Sequence, residues 1–392
     1  MIVGVPKDDF PGERRVAMVP AAVQLLAKAG VDLRVEAGAG QAAGFSDADY
    51  VAKGATIVAS RDELFAQAEL LLTVRALASR QGQPSPDLAR LRRGQALLGL
   101  LDPLGDAAGM RRLAETGVTA IALELVPRST RAQSMDVLSS MATLVGYRAV
   151  LLAAEALPRI FPMMTTAAGT IRPARVLVIG AGVAGLQAIA TAKRLGAVVE
   201  AYDVRPAVKE QVESLGARFV ELPLETKAAQ DAGGYAKAQD EEFYRRQREL
   251  MAQVVARNDV VISTAAVPGK QAPVLVTREM LQGMPHGAVV VDVAAEQGGN
   301  CEATRPGERI QVGGVTVIGP LNVAASLPYD ASQMYARNVA SFLAHALKNG
   351  FDSETPDDDI VRETRVTRGG EVVHARVREA LGLPALVPAG VA

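Results

Sequence analysis

The sequence predicts an α/β protein with two doubly wound parallel-sheet domains, separated by a cleft and joined by long helices. Short apolar runs alternate with amphipathic stretches, which is typical of parallel strands covered by helices on both faces. The chain has 392 residues, more than a single domain of roughly 150 residues normally holds. Because hydrophobic residues make up 49% and charged residues 22%, each domain has enough apolar surface to bury a core.

The first domain begins at the N-terminus with alternating strands and helices. Gly30 and Gly54 follow two of the predicted helices, where a left-handed C-cap residue is favoured. The predicted strands are Met1–Val5, Val31–Glu36, Thr56–Val58, Leu70–Val74, Ala96–Leu100 and Val118–Ala122, with a late hairpin of Arg362–Thr367 and Glu371–His374. The predicted helices are Pro20–Ala29, Ser46–Lys53, Arg61–Ala68, Ser85–Arg93 and Ala107–Thr116.

The second domain repeats this alternation from Arg175 onward. Its predicted strands are Val176–Ile179, Val198–Ala201, Asp259–Ser263, Ala288–Val293 and Val315–Ile318, and its predicted helices are Val183–Leu195, Pro206–Ser214, Phe243–Ala256 and Arg278–Gln282. Two long helices, Asp136–Leu157 and Asp330–Lys348, are expected to connect the domains. We therefore expect residues 1–137 and 328–392 in the first domain and residues 138–327 in the second.

Charge and cysteine content exclude several classes of function. The 42 basic and 43 acidic side chains give a net charge of −1, so nothing indicates a nucleic-acid or lipid surface. Cys301 is the only cysteine and cannot form an internal disulfide, as expected in a reducing compartment. The uncharged run Val176–Ala192 contains three glycines, so a strand, a turn and a helix explain it better than a membrane span. Since the N-terminus also lacks a signal peptide, we expect a soluble, cytoplasmic protein.

The sharpest feature is Gly180-Ala-Gly182-Val-Ala-Gly185, which follows a predicted strand and opens a predicted helix. In a Rossmann-like domain the first glycine permits a tight turn, and the second lets the backbone reach a pyrophosphate. The third permits close packing of helix on strand, and the helix N-terminus favours the anion. The pattern predicts a dinucleotide-binding turn, with an ordinary turn that binds no ligand as the alternative.

Asp203 ends the next predicted strand. An acid at this place accepts hydrogen bonds from the hydroxyls of the adenosine ribose, and its charge repels a 2′-phosphate. The sequence therefore favours NAD(H) over NADP(H). Arg205, two residues later, argues against that preference.

Polar residues also cluster between Glu124 and Ser140, just before the first long helix. One interpretation is purely structural, with Ser134 as the helix N-cap and Asp136 in the first turn. The other is a loop whose donors and acceptors hold a nicotinamide carboxamide in the cleft. The sequence leaves both open.

Groups for acid–base catalysis are scarce. The histidines are His286, His345 and His374, and none follows a predicted strand of the first domain. A dehydrogenase that oxidises an alcohol or an amine must move a proton as well as a hydride. At the strand end Leu97–Asp102 only Asp102 could do so, which argues against such a reaction.

The sequence resembles the NAD(H)-binding component of proton-translocating nicotinamide nucleotide transhydrogenase. The resemblance covers nearly the whole chain and is carried by Pro11–Ala17, Arg131–Asp136, Gly180–Gly196, Gly233–Lys237 and Gly298–Cys301. The related alanine dehydrogenases share the fold and the opening segment. They use a lysine and a histidine in the first domain that this sequence lacks.

The resemblance also implies site residues. Arg128, Asp136 and Ser139 would orient the dihydronicotinamide, while Gln133 would reach the nucleotide on the partner component. The implied nucleotide contacts are Gly180, Gly182, Val183, Ala184, Gly185, Asp203, Val204, Arg205, Tyr235 and Ala265. No metal is expected.

Tyr235 would lie on a mobile loop that closes over the nucleotide. The segment Glu221–Glu242 is too long and polar for a compact connection, and Gly233 and Gly234 supply hinge freedom. A solvated insertion without function is the alternative for this segment.

The resemblance further implies direct hydride transfer from NADH to NADP⁺, without an accompanying proton, with NADP(H) held by a partner component. The partners would be an NADP(H)-binding subunit and a membrane-spanning subunit, and the chain would form a homodimer. It would lie peripherally on the inner face of the cell membrane. Two alternatives stay open: an alanine-dehydrogenase-like NAD-dependent amino-acid dehydrogenase, and a non-catalytic NAD(H)-sensing module.

Overall fold

The chain divides into two units in a computed structural model that describes residues 1–75, 85–224, 241–266, 271–349 and 358–386. The first unit comprises Met1–Met141 and Leu327–Ala392, and the second comprises Ala142–Ser326. The sequence places the corresponding boundaries after residues 137 and 327.

The first segment of the chain alternates strands and helices as predicted. Its strands are β1 (Ile2–Val5), β2 (Asp32–Glu36), β3 (Thr56–Val58), β4 (Leu70–Arg75), β5 (Ala96–Leu100) and β6 (Thr119–Ala122). Its helices are α1 (Pro20–Lys28), α2 (Asp47–Val51), α3 (Arg61–Gln67), α4 (Ala107–Glu115) and α5 (Val137–Ala156). Gly30 and Gly54 have φ values of 78° and 97°, which confirms their left-handed conformation.

The second unit adds an exposed hairpin and a second large sheet. Its strands are β7 (Met164–Thr166), β8 (Gly169–Ile171), β9 (Arg175–Ile179), β10 (Val198–Tyr202), β11 (Arg218–Phe219), β12 (Val260–Ser263), β13 (Val289–Asp292), β14 (Arg309–Val312) and β15 (Val315–Ile318). Its helices are α6 (Val183–Arg194), α7 (Lys209–Ser214), α8 (Glu241–Ala256) and α9 (Arg278–Gln282). The apolar run 176–192 is therefore a strand, a turn and a helix, as predicted.

The chain then returns to the first unit. The elements of this last segment are α10 (Pro328–Asn349), α11 (Asp359–Thr364), β16 (Arg365–Arg368), β17 (Glu371–Val372) and α12 (Ala375–Ala380). The two long helices expected from the sequence, α5 and α10, are confirmed.

The two large sheets have the same strand order. Their parallel strands run β3-β2-β1-β4-β5-β6 in the first unit and β11-β10-β9-β12-β13-β15 in the second. Antiparallel strands extend one edge of each sheet, β16 and β17 beside β6 and β14 beside β15. The predicted α/β class with parallel sheets is confirmed. The order reverses between β1 and β4, and between β9 and β12, and ligands bind at the carboxyl ends of strands at such switch points.

Both faces of the second sheet are buried. Along β9, Val176 and Val178 pack on one face with α6, whereas Leu177 and Ile179 pack on the other face with α8 and α9. Successive side chains of a strand point to opposite faces, so a continuous apolar run is required where helices cover both.

Two predicted elements of the first unit are wrong in detail. Of the predicted helix Ser85–Arg93, only Pro86–Arg90 is helical, as a 3₁₀ segment, because buried Gln95 accepts a hydrogen bond from the Arg92 amide beyond it. The strand expected from Arg362 begins at Arg365 instead. The reason is the carboxylate of Asp358, which caps α11 by accepting a hydrogen bond from the Val361 amide.

Among the described residues, α5 is the helix that is long and apolar enough to cross a membrane. Its mean hydropathy over the most apolar window is 1.6, and 33% of that window is buried.

Candidate functional site

The glycine turn of the second unit joins β9 to α6. Gly180 follows β9 with φ of 92°, a left-handed conformation that other residues adopt only with strain. The turn is held by the Gly180 amide, which donates to the Tyr202 carbonyl at 2.8 Å, and by the Thr264 hydroxyl, which donates to the Gly180 carbonyl at 3.1 Å. Gly180 is thus held by one hydrogen bond to the backbone of β10 and one from the side chain of Thr264.

The three glycines meet different surroundings. A Cβ on Gly185 would lie 1.8 Å from the Gly180 carbonyl oxygen, so the helix and the strand end touch here. A Cβ on Gly182 would find nothing within 4 Å. The turn is therefore tightly packed on its protein side and open at Gly182, as a site for close approach of a ligand to the backbone requires.

The N-terminus of α6 lies at that open position. Gly182 is the N-cap residue and supplies no side-chain cap, and α6 begins at Val183 and Ala184. The first amides of a helix lack intrahelical acceptors and carry partial positive charge. An anion such as a pyrophosphate fits this position.

Asp203 lies beside the turn, just past β10. One carboxylate oxygen accepts hydrogen bonds from the Ala181 amide at 2.7 Å and from Arg205 Nη2 at 2.8 Å. The other accepts from the amide and from Nε of Arg205, at 2.8 and 2.9 Å. These four contacts match the acceptor capacity of a carboxylate. Val204, between the two charged residues, packs against the core.

Ala265, just past β12, completes the described part of this edge. Its amide nitrogen would lie 3.2 Å from a Cβ on Gly180, so it packs directly against the glycine turn. Its own backbone groups are hydrogen-bonded to the side chain of Asn300. Sequence reasoning missed Asn300 and Thr264, because neither stands next to the glycine motif in the chain.

The loop of the first unit brings Asp136 and Ser139 together. Asp136 accepts hydrogen bonds from the Ser139 amide at 2.9 Å and from its hydroxyl at 2.6 Å. The structural interpretation named Ser134 as the N-cap and placed Asp136 in the first turn of the helix, and this assignment is wrong. Because α5 begins at Val137, Asp136 caps the helix, while the Ser134 carbonyl accepts a hydrogen bond from Asn338 at 2.8 Å.

Arg128 and Gln133 precede that cap in the same loop, and Gln133 is exposed. Gln133 lies in a 3₁₀ segment, Thr130–Met135, that leads into the helix cap. Tyr235 and most of the segment Glu221–Glu242 lie outside the described residues, so the predicted lid stays a prediction.

Two half-buried acidic residues of the first unit, Asp8 and Glu124, have pKa values near neutrality that the sequence did not predict. Burial raises the pKa of Asp8 to about 7, although amides of Val74 and Arg75 donate to it. Burial likewise raises the pKa of Glu124 to about 7, against a hydrogen bond from the Asp102 amide. Within the ranges that the structure describes, no group of His, Cys, Asp and Glu has the arrangement of a metal site.

The sequence matches two family profiles that together span most of the chain. Residues 4–145 match the N-terminal domain of alanine dehydrogenase/PNT, and residues 149–375 match the C-terminal domain of alanine dehydrogenase/PNT.

The similar proteins include transhydrogenase subunits and alanine dehydrogenases. An NAD(P) transhydrogenase alpha subunit of Rhodospirillum rubrum is 45% identical over 380 residues, which cover 95% of this chain and 98% of the relative. The crystal structure of a transhydrogenase from Sinorhizobium meliloti is 42% identical, with a TM-score of 0.82 over 96% of this chain and 99% of that one. An alanine dehydrogenase of Halomonas elongata is 30% identical over 98% of this chain and 97% of the relative.

Proposed function

This chain belongs to the alanine dehydrogenase/PNT family, and we propose that it is the NAD(H)-binding subunit of a proton-translocating nicotinamide nucleotide transhydrogenase. The observation that carries the proposal is the 45% identity to a transhydrogenase alpha subunit across nearly the full length of both chains. The alanine dehydrogenases are more distant relatives, at 30% identity.

The residues of the second unit fit a dinucleotide. The uncapped N-terminus of α6 would hold the pyrophosphate through the amides that follow Gly182, where a Cβ would meet nothing within 4 Å. Gly180 and Gly185 would keep the turn tight enough for that approach. Bound NADH supplies the hydride that NADP⁺ on the partner component accepts.

Asp203 would accept hydrogen bonds from the hydroxyls of the adenosine ribose, which favours NAD(H) over NADP(H). Its acceptor capacity is already filled by Ala181 and Arg205. Ribose hydroxyls would therefore replace some of the bonds from the Arg205 side chain, rather than add to them. Replacing Asp203 with Asn should weaken NADH binding and reduce discrimination against NADPH.

In the first unit, we assign the orientation of the nicotinamide to Arg128, Asp136 and Ser139. Asp136 and Ser139 form a hydrogen-bonded pair that is fixed by the start of α5, so both are held in one geometry. Gln133 is exposed and is assigned to the nucleotide on the partner component. Direct transfer between two nucleotides needs positioning but no general acid or base.

We also propose a homodimer that associates with an NADP(H)-binding and a membrane-spanning subunit, peripherally on the inner face of the cell membrane. Helix α5 supports the homodimer because it is strongly apolar, yet only 33% of its most apolar window is buried within one copy of the chain. A second copy of the chain would cover such a surface.

The test mixes this chain with an NADP(H)-binding transhydrogenase component and NADH that carries deuterium at the transferable C4 position. Deuterium should appear in NADPH only when both proteins are present, as measured by mass spectrometry. If this chain alone instead turns over L-alanine with NAD⁺, the alanine dehydrogenase alternative is correct.

Variants of the first-unit loop separate transfer from binding. Gln133→Ala should slow the exchange about tenfold or more and leave the Kd for NADH unchanged, since its side chain is assigned to the partner's nucleotide. Both Asp136→Asn and Asp136→Ala remove the carboxylate charge. Asp136→Asn keeps an acceptor for the helix cap, whereas Asp136→Ala removes the cap as well and costs about 1 kcal/mol of stability. Equal loss of binding and exchange in Gln133→Ala would contradict the assigned role.

A further inference from the structure

One buried amide side chain, that of Asn300, hydrogen-bonds to Ala265 and Pro273 at the carboxyl edge of the second sheet. Its Nδ2 donates to the carbonyls of Ala265 at 2.8 Å and Pro273 at 2.9 Å. Its Oδ1 accepts from the Ser263 hydroxyl at 2.7 Å and from the Ala265 amide at 3.1 Å. Asn300 is fully buried, and these contacts use both of its donors and its acceptor oxygen.

The backbone partners determine which way the amide points. A carbonyl can only accept and an amide N–H can only donate, so Ala265 alone fixes the positions of Oδ1 and Nδ2. The next residue is held as well, because the Asp292 carboxylate accepts a hydrogen bond from the Cys301 amide at 2.8 Å. Asn300 is thus held by four hydrogen bonds, and the residue that follows it is held by one more.

Ala265, which is hydrogen-bonded to Asn300, lies against the glycine turn. Ala265 packs on Gly180, and its neighbour Thr264 donates a hydrogen bond to the Gly180 carbonyl. A displacement of Ala265 would therefore be transmitted to the turn whose amides are assigned to the pyrophosphate. Displacements of about 1 Å at a binding site can lower rates about 100-fold.

We propose that Asn300 is a positioning residue for NAD(H), which fixes Ala265 and Pro273 so that the glycine turn keeps its binding-competent geometry. The inference rests on the proposed function of this site as an NAD(H) site. It adds a residue that acts through Ala265 rather than by contact with the nucleotide.

The chain offers a matched control at the opposite edge of the same sheet. Asn258 precedes β12, is also fully buried, and donates through Nδ2 to Glu200 and to the Val254 carbonyl, both at 2.7 Å. Asn300→Asp and Asn258→Asp make the same change of a buried amide to a carboxyl. Only the first lies next to the glycine turn.

The experiment measures the Kd for NADH of the full chain by the fluorescence of bound NADH, with thermal unfolding as the stability readout. Asn300→Asp replaces two donors with acceptors that face carbonyl oxygens, so the Kd should rise about tenfold or more. Asn258→Asp should lower the Tm but leave the Kd of the folded protein unchanged. In exchange assays, Asn300→Asp should raise the KM for NADH more than it lowers kcat.

A wild-type Kd in folded Asn300→Asp, or an equal rise in Asn258→Asp, would overturn the inference. If Asn300→Asp does not fold, Ser263→Ala decides, since it removes one hydrogen bond to Oδ1 and should raise the Kd about threefold. An unchanged Kd in that variant also overturns it. A wild-type chain that binds NADH but exchanges no hydride with the partner component would refute the proposed function and leave this binding test intact.

Discussion

The two units share one strand order but present different groups at its switch point. Between β1 and β4 of the first unit lies the carboxyl of Asp8, which accepts hydrogen bonds from the amides of Val74 and Arg75. Between β9 and β12 of the second unit lie Gly180 and Gly182, with free space at the start of α6. The first crevice presents this carboxyl among the basic side chains of Lys7, Arg61 and Arg75. The second presents backbone amides with free space beside them, so a shared strand order does not imply a shared site.

The units also differ in how they hold buried carboxyls. In the second unit, burial acts to raise the pKa of Glu200, but hydrogen bonds from Arg257, Arg218 and Asn258 lower it to about 2. In the first unit, the pKa of Glu124 rises to about 7, because burial outweighs the hydrogen bond from the Asp102 amide. The arginines around Glu200 stabilise its carboxylate, whereas the surroundings of Glu124 favour the neutral form.

The largest effect is expected from Gly185→Ala. The new Cβ would lie 1.8 Å from the Gly180 carbonyl, so α6 must move away from β9. We expect a loss of about 3 kcal/mol in the free energy of unfolding together with a loss of NADH binding. Urea denaturation and NADH fluorescence measure the two effects.

The first unit provides the control in Gly4→Ala. There the new Cβ would meet the Ala68 Cβ at 2.8 Å and a Leu71 methyl at 3.1 Å, contacts that are longer than the 1.8 Å contact at Gly185. The expected cost is smaller, about 1 kcal/mol, and NADH binding should persist. If Gly4→Ala removed binding as fully as Gly185→Ala, the assignment of the nucleotide to the second unit would be wrong.

The second effect in size concerns the buried carboxylate of Glu200. Its folded-state pKa is lowered from the ordinary value of 4.5 to about 2, so its contribution to stability is present above pH 4.5 and is lost as the pH falls to 2. Glu200→Gln should cost about 2 kcal/mol at pH 7 and reduce the loss of stability in acid. Unfolding curves between pH 2 and 7 test both points.

The exposed ion pair of Glu242 with Arg245 is the matched control for this change. Its side chains are 70% and 54% exposed, and exposed pairs contribute little. Glu242→Gln should therefore leave the Tm unchanged at pH 7. An equal loss of Tm in the two variants would show that burial does not determine the effect.

A third effect isolates the open side of the glycine turn. Gly182→Ala places its Cβ where no protein atom lies within 4 Å, at a position that lies outside the left-handed region. Stability should change by less than about 0.5 kcal/mol, whereas the Kd for NADH should rise about tenfold because the methyl occupies the approach to the pyrophosphate. Unchanged binding would mean that the turn does not face the nucleotide.

Most strands of the two large sheets were predictable because each has its own local pattern of apolar residues. A run such as Val176–Ile179 is apolar throughout since both faces are covered, and Gly180 marks its end. Strands β11 and β14 were not predicted. Strand β11 has two residues, too few to show a period, whereas Arg309–Val312 does alternate polar and apolar residues and this pattern was overlooked. The start of α11 was missed because the cap of Asp358 lies in an acidic run that resembles solvated loop.

The geometry of the candidate site was predictable only where a single sequence motif determines it. The glycine turn and Asp203 follow from a spacing along the chain. The hydrogen bonds of Asn300 to Ala265 and Pro273 join residues that are distant in sequence, and no local sequence pattern predicts such contacts. The sequence also could not show that the hydrogen-bond acceptor capacity of Asp203 is filled. The hydrogen bond from the Ala181 amide forms only when β9 and β10 pair.

The smallest effect is expected from the neutral carboxyl of the first unit. Glu124 has one oxygen, Oε2, that is buried and has no hydrogen-bond partner among the described residues. Because its folded-state pKa is raised to about 7, its contribution to stability is fully present below pH 4.5 and is lost as the pH rises through 7. Glu124→Gln should therefore be neutral or slightly destabilising at pH 5 and stabilising by about 1 kcal/mol at pH 8. Unfolding at the two pH values, with exposed Glu115→Gln as the control, would contradict this if both variants behaved alike.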